Sequence, residues 1–270
     1  MINRDSIRKS MDLGFYKLWF KYENYEIIDD HLIGNGIVNE IDAPMAYSEL
    51  PGQVAKLNNR KEKYLLKFVK AYGLFGYKQF NSNTTAQGEP LNWIWAHVQG
   101  IYMVLELLNS KQDSDIESMI NVLKQFKVTN EGKKELSIRF GNRGKIGEVR
   151  YPYDTLDENT ALSIADNFIL LVINKNISEV KGKIYAKGTG INSMPVFKNT
   201  FNAMIEAVYW QLMVSSTGGG TFRRCKFCNT PFVVTHDSTL FCPKKDYEKE
   251  STCAINFRVK KMRAKAKKEK

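Results

Sequence analysis

Apolar residues recur at helical spacing through the middle of this 270-residue chain. The clearest run begins directly after Pro90 and follows the 3.6-residue period of an α-helix. Its apolar positions are Leu91, Ile94, Trp95, Val98, Ile101, Tyr102, Leu105 and Leu108. Proline suits the first turn of a helix, so the pattern predicts a long helix that starts here.

Four further segments of the N-terminal part have helical patterns. Residues 48–73 place apolar side chains on one side and end at Gly73, which can terminate a helix. Residues 113–126 predict a shorter helix, and the apolar run 160–175 favours helix over strand. Residues 199–216 predict a helix with one apolar face. That face is formed by Phe201, Met204, Ile205, Val208, Leu212 and Met213.

Two segments have the pattern of paired strands. Residues 14–38 are rich in aromatic and β-branched side chains, and Gly34-Asn35-Gly36 predicts a turn between two strands. Residues 135–153 alternate between apolar and polar positions around Gly141–Gly144, which predicts a hairpin. The polar stretch 81–90 is predicted to be a connector.

These elements predict an α+β protein with two domains. Residues 1–217 form a mostly helical N-terminal domain with short β-hairpins and a sensory or assembly role. Gly218-Gly219-Gly220 follows as a hinge. Residues 218–270 form a small C-terminal module.

Composition agrees with a folded cytoplasmic protein. Hydrophobic residues make up 43% of the chain, which is enough for a sizeable core. No run of apolar residues is long enough to span a membrane, and the first 20 residues lack the apolar core of a signal peptide. The sequence therefore predicts the cytoplasm and no membrane partner.

The basic charge is concentrated at the C-terminus. The net charge of the whole chain is +11. Residues 219–270 contain 14 Lys and Arg against 5 Asp and Glu, so this module accounts for +9 of it. A surface of this charge is suited to binding a polyanion.

All four cysteines lie in the same module, at Cys225, Cys228, Cys242 and Cys253. A C-x2-C pair in a tight turn can place two thiolates at adjacent corners of a tetrahedron, and the second pair can supply the other two. Thiolate ligands favour zinc, and four protein ligands leave no open position. The spacing therefore predicts one structural Zn²⁺.

Two alternatives to this ligand set are less favoured. A pair of disulfides conflicts with a reducing compartment. His236 lies between the two cysteine pairs and can replace one cysteine as a ligand, but the four cysteines already complete the shell.

A basic helix is predicted after the fourth cysteine, with Ser251 or Thr252 as its cap. Ile255, Val259, Met262 and Ala266 are spaced along one face, and we expect this stripe to lie on a small core around the metal. That core would be formed by Phe227, Phe232 and Phe241.

The segment "RRCKFCNTPFV…LFCPKK…CAINFRVKKMRAK" resembles the C-terminal treble-cleft-like finger of bacterial CGNR-type zinc finger proteins. The resemblance covers Arg223 to about Lys265. It departs from the family in the wider spacing of the last two cysteines and in "AINFR" after the fourth. It implies that the four cysteines bind the metal and that the basic helix starts near Arg258. Members with an α-rich domain before the finger are usually described as transcription regulators.

We therefore predict a zinc-dependent nucleic-acid-binding protein, with DNA favoured over RNA and a regulatory role. The predicted contacts are Arg223, Arg224, Lys226, Arg258, Lys261, Lys265 and Lys268. Two alternatives remain open: a zinc-braced module that binds a protein, and an enzyme or toxin that uses the finger to hold nucleic acid.

No catalytic constellation is recognisable in the sequence. "GNRGKIG" at residues 141–147 lacks the pattern of a phosphate-binding loop. His31 and His97 are isolated, and each is predicted to be structural. The aromatic residues of the predicted helices are expected to be core. They are Trp93, Trp95, Tyr102, Tyr209 and Trp210.

Overall fold

A computed structural model describes residues 19–41, 50–77, 86–140, 148–178, 180–187, 194–201, 203–217, 221–234, 238–244 and 249–268. Within these residues the chain forms seven α-helices, one 3-10 helix and ten strands in small antiparallel sheets. The predicted α+β class is confirmed. None of the described helices has the length and apolar character needed to cross a membrane.

The helices are α1 (Leu50–Ala55), a 3-10 helix (Lys56–Asn59), α2 (Glu62–Tyr72), α3 (Leu91–Gln112), α4 (Ile116–Lys124), α5 (Ala161–Ile177), α6 (Met204–Thr217) and α7 (Thr252–Lys268). The strands are β1 (Trp19–Ile28), β2 (His31–Ile41), β3 (Ala86–Pro90), β4 (Lys127–Asn130), β5 (Lys133–Ile138), β6 (Val149–Pro152), β7 (Lys181–Lys187), β8 (Met194–Thr200), β9 (Thr221–Arg224) and β10 (Pro231–Val234).

Helix α3 is the centre of the molecule. Its 22 residues span about 33 Å at the usual rise per residue. It packs against α1, α4, α5 and α6, and also against strands β9 and β10. This position explains why its buried side chains occupy more than one face, and the helix predicted after Pro90 is confirmed.

The strands pair with neighbours along the chain. One sheet has the order β1-β2-β3, a second has β4-β5-β6, and β7-β8 and β9-β10 are hairpins. The predicted strand pair is confirmed over residues 19–38, and residues 14–18 lie outside the described residues. Its turn is at Asp29-Asp30, where both φ angles are positive. Gly34 is instead inside β2. A Cβ atom there would lie 2.6 Å from the ring of Tyr22, so glycine is needed for packing.

The predicted helix over residues 48–73 is divided into α1, the 3-10 helix and α2. Arg60 has a φ of 53°, which interrupts the helix, and the side chain of Asn59 accepts the N–H of Lys61. Gly73 ends α2 as predicted. The end of the predicted connector pairs with β2 as strand β3, and residues 78–85 lie outside the described residues.

The helices predicted at residues 113–126, 160–175 and 199–216 are confirmed as α4, α5 and α6. The last of them starts later than predicted, at Met204, because residues 199–200 end strand β8. The hairpin predicted at residues 135–153 is confirmed as β5 and β6, while its turn lies outside the described residues. The β7-β8 hairpin was not predicted. The hinge glycines 218–220 also lie outside the described residues.

An aromatic cluster fills the core beside α3. His97 is fully buried, stacks on Phe140 with ring centroids 4.7 Å apart, and meets Trp93 edge to face. Tyr209 is also buried there, with its hydroxyl 3.4 Å from Nδ1 of His97. Trp95, Tyr102 and Trp210 are half-buried. These positions agree with the predicted core role of the aromatic residues.

Glu89 in β3 is a buried carboxylate with a structural role. It accepts the backbone N–H groups of Phe75, Gly76 and Tyr77. These contacts tie the segment after α2 to the first sheet, and hydrogen bonds of this kind offset the cost of burying the charge.

Candidate metal centre

The four cysteines converge on one point. Their Sγ atoms all lie within 4.8 Å of one another, and those of Cys228 and Cys242 are 3.4 Å apart. A tetrahedral site with zinc–sulfur bonds of about 2.3 Å requires sulfur atoms about 3.8 Å apart. The cluster can therefore hold a metal ion, and its cysteines are free thiols rather than disulfides.

The β9-β10 hairpin positions the first pair. Cys225 follows β9 directly, and its backbone N–H donates to the carbonyl of Thr230 at 3.0 Å. Asn229 has a φ of 57°, and its N–H donates to the carbonyl of Cys225 at 2.9 Å. These bonds close a tight turn in which both sulfurs point to the same side.

The second pair comes from the loop after the hairpin and from α7. The N–H of Lys226 donates to the carbonyl of Leu240 at 3.0 Å, and the N–H of Cys242 lies 3.4 Å from the Sγ of Cys225. Cys253 is in the first turn of α7, where the partial positive charge of the helix N-terminus favours a thiolate. Hydrogen bonds with Cys225 and Cys228, together with burial, act in the opposite direction and raise the pKa of Cys253.

A small core surrounds the cluster. Phe232 is buried together with Cys225, Cys242 and Cys253. Phe241 packs against this core and contacts Phe257 of α7, with ring centroids 5.2 Å apart. Phe227 does not join the core as predicted. Its side chain is 38% exposed at the tip of the cysteine turn.

The cysteines share protons through hydrogen bonds among their sulfurs. Bonds with Cys228, Cys242 and Cys253 lower the pKa of Cys225. Bonds with Cys225, Cys228 and Cys253 raise the pKa of Cys242. A metal ion would replace this shared set of protons, because thiolates are the metal-binding form.

Lys56 of the 3-10 helix brings a positive charge to the cluster. Burial lowers the pKa of Lys56, but the charges of Cys242, Cys253 and Cys228 and a hydrogen bond to Cys242 outweigh it, so the pKa is raised. Four thiolates around a divalent ion carry a net charge of −2, so a nearby ammonium stabilises the loaded site.

We expect Lys56→Gln to weaken metal affinity by roughly 10-fold, the low end for loss of a group that contacts a ligand. Competition against a chromogenic chelator would measure this. Lys67→Gln is the matched control, because Lys67 is exposed on α2. Equal affinities of the two variants would contradict a role for Lys56.

The β9-β10 hairpin also packs against helices of the main core. Arg224 forms an ion pair with Glu106 of α3, whose side chain is 2% exposed. The N–H of Phe222 donates to the Oε1 of Gln112 at 2.7 Å, and Phe222 belongs to the main core. A Cβ atom on Gly52 of α1 would lie 3.3 Å from the Cβ of Phe232. The site is therefore held against α1 and α3.

The predicted nucleic-acid contacts have different surroundings. Arg224 is engaged by Glu106, and Arg223 donates to the carbonyl of Thr239 at 3.4 Å. Lys226, Arg258 and Lys261 are exposed, and Arg258 also pairs with Glu250. Lys265 and Lys268 are within α7, but their side chains lie outside the described residues, as does His236.

The first three residues of the stripe predicted on α7 do not lie on the phenylalanine core, and the side chain of the fourth, Ala266, lies outside the described residues. Ile255, Val259 and Met262 are 43%, 37% and 71% exposed. Helix α7 instead turns Cys253 and Phe257 inward, and Ile255 lies two residues from each of them. Two residues correspond to about 200° of helical rotation, so the stripe faces away from the metal cluster.

Sequence reasoning did not find Lys56, Glu106 or Gln112. Glu106 had a usable signal, because an acid between Leu105 and Leu107 in an apolar helix requires a partner when buried. Lys56 had none, since one lysine between the buried residues Ala55 and Leu57 does not show which group it meets.

Comparison of the chain with protein-family models, curated proteins and solved structures finds no match. The resemblance of the finger to CGNR-type proteins therefore stays a prediction from its cysteine and basic motif. The structure shows an α+β protein with a four-cysteine cluster, one of whose cysteines, Cys253, is in the first turn of α7.

Proposed function

We propose that the chain is a zinc-dependent nucleic-acid-binding protein in which a structural Zn²⁺ fixes the basic helix α7. All-cysteine ligation of the observed spacing favours zinc over oxygen-preferring metals. The observation that supports the proposal most directly is that α7 is anchored in the cluster by Cys253 in its first turn and has four exposed cationic side chains further along. These are Arg258, Lys260, Lys261 and Arg263.

The charge balance favours a polyanionic partner. The module has a charge of +9 from its Lys, Arg, Asp and Glu residues. One Zn²⁺ bound by four thiolates adds a net charge of −2 to this value, so the module remains strongly basic. A continuous basic helix can lie in a major groove or follow the phosphates, and duplex DNA accommodates such a helix more readily than A-form RNA.

The test is fluorescence anisotropy of the metal-loaded protein with random duplex DNA and single-stranded RNA over a salt series. We expect affinity for duplex DNA to fall steeply with salt. A plot of the logarithm of the binding constant against the logarithm of the salt concentration should fall with a slope of about 0.9 per phosphate contacted. Absence of binding to both probes at low salt would refute the proposal.

We expect Lys260→Ala/Lys261→Ala to lower the salt slope of DNA binding by the equivalent of about two phosphate contacts, without loss of metal. Lys67→Ala/Lys70→Ala removes the same charge from an exposed face of α2 and is the matched control. An equal fall in both double variants would show that general charge, and not α7, determines the binding.

A further inference from the structure

We infer that the stripe of Ile255, Val259 and Met262 on α7 is a docking seam for an acidic amphipathic helix of a partner protein. The inference goes beyond nucleic-acid binding, because it concerns the apolar face of α7. Its starting point is that three large apolar side chains are exposed on a helix whose inner face is already used.

The spacing of the stripe is that of a coiled-coil seam. Val259 follows Ile255 by four residues and Met262 follows Val259 by three, which are the steps between d, a and d positions of a heptad. Side chains at these steps insert between those of a facing helix. A helix packed along α7 would therefore bury all three residues.

The flanking charges identify the partner. Arg258 takes the g position before Val259, and Arg263 takes the e position after Met262. Both side chains are exposed, and Arg258 also forms an ion pair with Glu250 of the same chain. Flanking positions select partners through charge, so acids at the facing positions of a partner helix complement this seam.

A second copy of α7 is disfavoured by the same residues. In a parallel pair, a g position faces the e position five residues further along the other helix, so Arg258 would face Arg263. In an antiparallel pair each arginine would face its own counterpart. Like charges oppose both arrangements, whereas an acidic helix removes the repulsion.

The first test uses the full-length metal-loaded protein and a labelled synthetic peptide of about three heptads, with Leu at a and d and Glu at e and g. We expect anisotropy to show micromolar binding. Val259→Ser/Met262→Ser should weaken it at least about tenfold, whereas Leu170→Ser, which changes an exposed leucine of α5, should not. The same peptide with Lys at e and g should not bind.

The second test needs no foreign ligand. Arg258→Glu/Arg263→Glu gives the chain the complementary charges, so an equimolar mixture with the wild type should form heterodimers in sedimentation velocity. Each protein alone should remain monomeric. Metal content is measured for every variant to confirm that the module is folded.

Three results would overturn the inference. Self-association of the wild type that depends on Val259 and Met262 would make a second copy the occupant. If the acidic peptide does not bind and the charge-swapped mixture does not form heterodimers, the stripe is not a docking seam. Loss of duplex DNA affinity in Val259→Ser/Met262→Ser, without peptide binding by the wild type, would assign the stripe to the nucleic-acid surface and leave the proposed function standing.

Discussion

Cys225→Ser is expected to abolish metal binding and to unfold the region around the cluster. A four-cysteine site contributes on the order of 10 kcal/mol to the folding of a small module, and a serine hydroxyl is a poor zinc ligand. Cys225 is buried at the centre of the cluster, so its loss removes both a ligand and a packing contact.

The loss should extend into α7 but not through helices α1 to α6. Helix α7 begins at the cluster and contacts it through Phe257, and a lysine-rich helix of this length is marginal alone. The four tryptophans lie before residue 218, and Trp93 is in the main core. We therefore expect fast amide exchange in α7 together with native tryptophan fluorescence.

The matched control for this experiment is Phe227→Ser, which changes an exposed side chain in the same cysteine turn. It should retain one metal per chain by elemental analysis. Full metal content in Cys225→Ser would disprove the assignment of this ligand, and loss of native tryptophan fluorescence would show that the metal supports the whole fold.

Arg224→Met is expected to destabilise the protein by about 3–5 kcal/mol, because it leaves the Glu106 carboxylate buried without its cation. Tyr102 is another polar neighbour of Glu106. Burial and a hydrogen bond with Glu106 raise the pKa of Tyr102 to about 12. A tyrosine hydroxyl can share the proton but cannot neutralise the charge, so most of the cost should remain.

Denaturant unfolding of the metal-loaded protein would measure this cost. Arg258→Met is the matched control, because the Arg258–Glu250 pair is exposed on both sides and such pairs contribute at most about 1 kcal/mol. Adding Glu106→Leu to Arg224→Met should recover much of the stability, because no buried charge is left. Equal destabilisation by Arg224→Met and Arg258→Met would contradict a buried ion pair.

The ion pair also changes the expected role of Arg224. The sequence offers it as a contact for nucleic acid, but its guanidinium already neutralises Glu106. We expect it to act by holding the β9-β10 hairpin on α3. At saturating metal, Arg224→Met should therefore change the salt slope of DNA binding less than Lys260→Ala/Lys261→Ala.

The sequence by itself determined the helices with long regular patterns and the set of four cysteines. A 22-residue apolar helix is specified by the spacing of its own side chains. The C-x2-C turn is equally local, because two cysteines three positions apart in a closed turn must present their sulfurs together. The α+β class followed from such local signals.

Only the tertiary structure decided which face of a helix is buried and which distant residues are in contact. Helix α7 has two apolar faces, one with Cys253 and Phe257 and one with Ile255, Val259 and Met262. Periodicity identifies the second face but does not show which face is buried. The attachment of Cys253 to the cluster turns the first one inward, and the same folding brings Lys56 and Glu106 to residues far along the chain. Such partners are chosen by the packing of whole elements, which no local pattern of residues specifies.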